Sequence, residues 1–328
     1  MHRFPFIIGL LFIAAIIWQG NTLKGRLRQD ENANAIFVTP ATGDTFWVGT
    51  NKNQIAFNTP QGDTVWYGHE LIANTAFYYG PKGIISHTAN GMNCQNCHLQ
   101  GGTLPLANNF GKVYATYPQY RARNNAVQTI YGRITDCFER SLNGTAPDTS
   151  KPAMRAMYAY IKWLGNDVPK GKSPAGTGVA RLPYLNRAAN PVEGQMIYTA
   201  SCSSCHGNNG QGQLSAAGTG YTYPPLWGPN SYNDGAGLYR IGSFAGYVKN
   251  NMPFGSTYKA PQLTNEQAWD VAAFVNSQPR PHKDQSRDWP VLKSKPVDFP
   301  FAPYADSFTE QQHKYGPFQP IVEAGKKK

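Results

Sequence analysis

Apolar residues recur at helical spacing in five stretches of the chain, and long runs without a sustained period separate them. The first stretch, Asp63 to Phe77 (DTVWYGHELIANTAF), is predicted as a helix capped by Asp63 and stopped before Tyr79-Gly80-Pro81. The second runs from about Asn124 to Leu142 and stops at Asn143-Gly144, and the third, Pro152 to Leu164, has proline in its first turn and Gly165 after it. Residues 166–190 are rich in Gly, Pro and small polar residues and are predicted as a linker. Helices are predicted again over Val192 to Ala200 and Asn265 to Gln278, with a long Gly/Pro/Tyr loop between them. At the start, Arg3 precedes an apolar run from Phe4 to Trp18, so residues 1–20 are either a secretory signal peptide or a signal anchor. The breaks divide the rest into a first unit (31–165), the linker, a second unit (191–280) and a proline-rich C-terminal tail (281–328), expected to be extended. The two units share an order of elements rather than a sequence.

Between the helices the chain carries Cys94-Gln95-Asn96-Cys97-His98 and Cys202-Ser203-Ser204-Cys205-His206. A CxxCH motif is the attachment site of c-type haem: the two thiols form thioethers to the vinyl groups and the adjacent histidine reaches the iron. Two such motifs in a chain with an export signal predict two covalently bound haem c groups, and two zinc sites are the alternative. The fold expected is mainly α: two cytochrome c-type domains joined by a linker, with long loops and an extended C-terminal tail. For the second iron, Met252 stands before Pro253 and ahead of the last helix, where a sixth ligand belongs; packing is its other reading.

The fifth cysteine, Cys137, has no free partner for a disulfide and lies where the first domain needs its sixth ligand. A thiolate there would make the first haem the more reducing one. His69, His87, Met154 and Met157 compete for that position, and Cys137 also reads as a small buried hydrophobe. Around it stand Arg121, Arg123, Arg133 and Arg140. On a helix, Arg133 and Ser141 lie four residues either side of Cys137 and share its face. Guanidinium favours the thiolate and suits oxyanions of sulfur or phosphorus, though haem carboxylates and solvent are equally ordinary partners for any one arginine.

Charged residues make up only 15% of the chain, yet the formal net charge is +11. In an exported redox protein this excess predicts an anionic substrate, an acidic electron partner or an anionic membrane surface, with no nucleic-acid motif spacing to support a fourth reading.

The stretches Tyr120-Arg121-Ala122-Arg123 and Arg133 to Gly144 (RITDCFERSLNG), both CxxCH motifs, and His313 to Phe318 (HKYGPF) together resemble the dihaem thiosulfate dehydrogenases, which are related to a haem subunit of the periplasmic sulfur-oxidising complex. The resemblance covers nearly all of the chain beyond residue 60. It implies Cys137 as a ligand of the first haem and a substrate site there, with Arg123, Arg133 and Ser141 at substrate-binding positions. The implied reaction interconverts thiosulfate and tetrathionate, with a periplasmic electron-transfer protein such as a small cytochrome as partner, in the periplasm and at the inner membrane if the N-terminal segment is retained. In some relatives a lysine directly before the methionine exchanges with it on iron. Here that position is Asn251 and the nearest lysine is Lys249, so plain His206/Met252 ligation is expected. A dihaem electron carrier and a haem subunit without activity of its own are the competing functions.

Overall fold

The computed structural model describes residues 46–326, so the predicted signal or anchor segment lies outside the described residues. Helix α1 (Pro60–Ala73) begins three residues before Asp63, the expected start. Thr59 is its N-cap, accepting from the Gly62 N–H, and Pro60 fills the first turn, where a missing N–H is no loss. Asp63, expected to cap, lies inside the helix and accepts from the Asn58 N–H (3.1 Å) instead.

The helix expected from Asn124 is shorter at its start. Strands β1 (Gln119–Arg121) and β2 (Ala126–Gln128) pair antiparallel, and Asn125 takes φ 49° in the turn between them. Thr129 then accepts from the Gly132 N–H (3.2 Å) and opens α2 (Ile130–Arg140), which carries Cys137. Helix α3 (Pro152–Leu164) matches expectation, burying Met154, Met157, Ile161 and Leu164 at a 3-4-3 spacing.

In the second domain α4 (Pro191–Ser201) precedes its CxxCH motif, and strands β3 (Gln213–Leu214) and β4 (Tyr221–Tyr223) follow. Helix α5 (Ile241–Asn251), in a stretch read as loop, leads into Met252, and α6 (Asn265–Ser277) opens with a Thr264/Gln267 capping box.

The two domains repeat one packing solution. Helix α1 crosses α3 at Gly68, where an added Cβ would lie 2.0 Å from the Ala156 carbonyl oxygen and 2.8 Å from the Tyr160 Cβ. Helix α4 crosses α6 at Gly194, where the same atom would lie 1.9 Å from the Asp270 oxygen and 2.8 Å from the Phe274 Cβ. In each pair the backbones touch, which only glycine permits. Gly68→Ala and Gly194→Ala are each expected to cost at least ~1–3 kcal/mol through overpacking against backbone that cannot rotate away. Thermal melts of the holoprotein check this, and an unchanged midpoint would show that the crossings can widen freely.

The segment expected as a linker is tied down. Leu106 and Asn108 N–H groups donate to the Gly176 and Gly178 carbonyls, and Asn109 Nδ2 donates to Gly176 O (2.7 Å). The C-terminal tail is not simply extended either: α7 (Glu310–Tyr315) and α8 (Gln319–Lys326) form within it. His313 is buried between Val297 O (Nδ1, 2.8 Å) and Asp306 Oδ1 (Nε2, 3.0 Å), with Tyr304 stacked on its ring. Phe318 and Ile321 enter the second core beside Trp269. The prolines of this region sit between these short elements, except Pro320 in the first turn of α8, where a missing N–H is tolerated. Among the described residues no helix is long and apolar enough to cross a membrane.

Candidate active site and haem clefts

Two clefts open on the two CxxCH motifs. The first, about 200 Å³, is lined by Cys94, His98, Phe110, Ile134, Cys137, Phe138 and Met157, among others. The second, about 650 Å³, is lined by Cys202, Cys205, His206, Tyr247, Met252 and Val275, and also by Cys97 of the first motif. One loop therefore walls both cavities. It is pinned from the first domain by Thr75 Oγ1, which accepts from the Cys94 N–H (3.0 Å), and by Asn93 Oδ1, which accepts from the Ala76 N–H (2.8 Å). From the second domain, Tyr221 O accepts from Asn96 Nδ2 (3.3 Å), and Tyr247 Oη donates to Asn96 O (3.4 Å).

Both clefts fit a covalently attached haem. His98 donates from Nδ1 to Asn108 O, and His206 from Nδ1 to Pro224 O (2.9 Å), so each ring keeps Nε2 free as a lone-pair donor. Burial pushes His98 down to about 4 and lowers His206, which leaves both imidazoles neutral, the form that binds metal. Burial pushes the Cys94 and Cys97 thiols up to about 12, with Cys137 close enough to add to each. His98 would hold the first iron, and His206 with Met252 the second.

Of the candidates for the remaining position on the first iron, Cys137 and Met157 line the cleft. His69 lies in the core against Trp66 and Tyr160, Met154 is fully buried in the first turn of α3, and His87 is exposed; none of the three lines the cleft. In the second cleft Met252 follows the last turn of α5. Lys249 donates its ammonium to Leu263 O and does not line that cleft, while the Asn251 amide donates to Leu106 O (3.2 Å) and Tyr247 O (2.8 Å).

The arginines divide into two groups. Arg133 lines the first cleft one turn before Cys137, whose nearness raises the guanidinium above its ordinary value. Arg121, on β1, lines it too. Arg123 and Arg140 do not. Arg140 forms a two-pronged pair with Asp288 of the tail (2.8 and 2.8 Å), and Arg123 Nε stands 4.0 Å from the same carboxylate. Burial, then Arg140 and Arg133, push Arg123 down to about 10. Ser141 caps α2 and its N–H donates to Cys137 O (2.9 Å), but it is not part of the cleft lining.

Three residues escaped the sequence reading: Asn108, which aims His98; Lys112, which lines the first cleft; and Asp288, which binds the arginine pair. None sits in a motif, and Asn108 and Asp288 work through partners that only the fold brings near.

Residues 86–169 match the family described as SoxA/TsdA, cytochrome c domain, and residues 191–279 match cytochrome c. The thiosulfate dehydrogenase of Allochromatium vinosum is 41% identical over 224 residues, covering 67% of this chain and 79% of that protein. The chain belongs to the thiosulfate dehydrogenase family. The thiosulfate dehydrogenase of Stutzerimonas stutzeri is 32% identical over 287 residues, 87% of this chain and 90% of its own. The solved thiosulfate dehydrogenase (TsdBA) of Marichromatium purpuratum, in its as-isolated form, superposes with a TM-score of 0.68 at 30% identity over 80% of this chain. This chain spans about half of that structure's length (54%). As a member of the thiosulfate dehydrogenase family the protein is a dihaem c-type cytochrome oxidoreductase with two haem c groups.

Proposed function

We propose that the chain interconverts thiosulfate and tetrathionate in the first cleft and passes electrons outward through the second. The observation that carries this is an asymmetry of charge. The first cleft is lined by Lys112, Arg121 and Arg133 with no carboxylate, whereas no Lys, Arg, Asp or Glu lines the second. Both clefts take the same kind of prosthetic group, so the cations of the first answer to something the second does not bind. A small dianion of sulfur is that ligand.

Cys137 is the nucleophile, and with His98 it would hold the first iron. In the forward direction its sulfur bonds to the outer sulfur of one thiosulfate, giving Cys–S–S–SO₃⁻ and releasing two electrons. A second thiosulfate attacks the Cys-bound sulfur of that adduct; the new S–S bond makes tetrathionate, and the bond to Cys137 breaks to return the thiolate. The haems supply the redox capacity, one electron each. Arg133 neutralises the sulfonate beside Cys137, and Arg123 adds positive potential from behind it. Ser141 fixes the end of the helix through its bond to the Cys137 carbonyl.

Electron exit belongs to the second cleft, where Phe254, 90% exposed, stands at the mouth two residues from Met252. An extracytoplasmic electron carrier such as a small cytochrome suits an uncharged apolar edge of this kind. Steady-state assays of the purified holoprotein, run from thiosulfate with an oxidised acceptor and from tetrathionate with a reduced donor, test the reading. Turnover in at least one direction without added subunits is expected; electron exchange with the acceptor but none with either sulfur compound would leave a simple electron carrier.

A further inference from the structure

The reaction brings together two dianions, and one arginine beside Cys137 serves only one of them. Two further cations line the same cleft. Lys112 is half-buried, on the loop that follows Asn108 and Asn109, and Arg121 extends from β1. Among the described residues neither side chain makes an ion pair or hydrogen bond, and the group acting most on the Lys112 charge is another cation, Arg181. Burial and Arg181 both hold the Lys112 ammonium below its ordinary value. Cations gathered without a counter-charge in an apolar cleft call for an anion from outside.

Haem carboxylates are the ordinary alternative, but the second cleft manages the same group with no Lys or Arg in its lining. We propose that Lys112 and Arg121 form the subsite for the second thiosulfate, the one that attacks the adduct on Cys137. This rests on the reading of the first cleft as the thiosulfate site. The division of labour follows from chemistry. Arg121 offers a planar fork to two sulfonate oxygens, while Lys112, a mobile point charge, offsets the repulsion between the arriving dianion and the adduct that already carries a sulfonate. The same pair would seat one end of tetrathionate in the reverse direction.

The test uses Lys112→Gln, Arg121→Gln and the double variant as holoproteins, with Arg121→Lys as the conservative control. The expected result is a half-saturating thiosulfate concentration raised ~10-fold or more by each Gln substitution, kcat changed far less, and a partial rescue by Arg121→Lys. Redox titration should find both haem potentials unmoved. Half-saturation unchanged in the double variant overturns the subsite, as does a moved potential with unchanged half-saturation, which would assign the two cations to haem carboxylates. Calorimetric titration with sulfate, an unreactive dianion of similar shape, keeps the question separate from turnover. Weaker sulfate binding by the double variant at constant ionic strength supports the subsite, and equal binding overturns it. If the wild-type protein oxidises no thiosulfate, the functional reading falls by itself, while the sulfate titration still decides whether these residues hold an anion.

Discussion

Cys137→Gly lowers thiosulfate–tetrathionate turnover by at least ~10³-fold while both haems stay attached. The size follows from the role: with the sulfur gone there is no atom to carry the first thiosulfate, and the two substrates must meet without a covalent relay. The rest of the site survives because haem attachment uses the four motif cysteines, and Ile130, Ile134 and Phe138, which line the cleft with Cys137, also anchor α2 in the first core. A glycine in a helix interior costs about 1 kcal/mol, too little to unfold the domain, and Cys137→Ala removes even that cost. Haem content by absorbance and steady-state rates on the same samples make the comparison. Turnover within a few-fold of wild type in the alanine variant would reject Cys137 as nucleophile and leave it, at most, a ligand that tunes the iron.

Asp288→Ala has the second large effect, on stability. The carboxylate takes both prongs of Arg140 and lies beside Arg123, and the side chains of all three are about nine-tenths buried. Nearby Arg133 adds a further positive charge to the cluster. Removing the anion leaves two buried guanidiniums without their paired carboxylate, a change that costs about 3–5 kcal/mol in proteins generally. In a chain of this size that is a fall of roughly 10 °C in the melting midpoint. Asp288→Glu should recover part of it and Asp288→Asn less, since an amide keeps an acceptor but no charge. A shift below about 2 °C for the alanine variant would mean that water reaches the arginines and replaces the carboxylate.

These two residues mark what the sequence could and could not disclose. Cys137 stood out because two motifs accounted for every other cysteine, and its helix had a strong period through Ile130, Ile134 and Phe138. Asp288 was hidden, because its worth comes from Arg140, 148 positions earlier, across a tail that composition alone described as loose. The helices α3 and α6 were legible from their caps and spacing, but α5 was not. Gly242 and Gly246 interrupt its period, and Gly246 is there for packing, since a Cβ on it would lie 1.9 Å from the Ala180 carbonyl oxygen. The hairpin before α2 was lost for the opposite reason: three-residue strands are too short to show alternation. Within the site, Arg133 followed from helical spacing to Cys137, whereas the partition of the arginines into a cleft pair and a tail-bound pair needed the fold.

The loop from Met92 to Gln100 faces the first cleft with Cys94 and His98 and the second with Cys97, Asn96 and Leu99. A partition one chain thick leaves no intervening material in which the two centres could be adjusted independently. A mutation chosen to improve substrate handling on one side alters the lining on the other, so the pair must evolve, and be engineered, as a single unit with a shared tolerance for change.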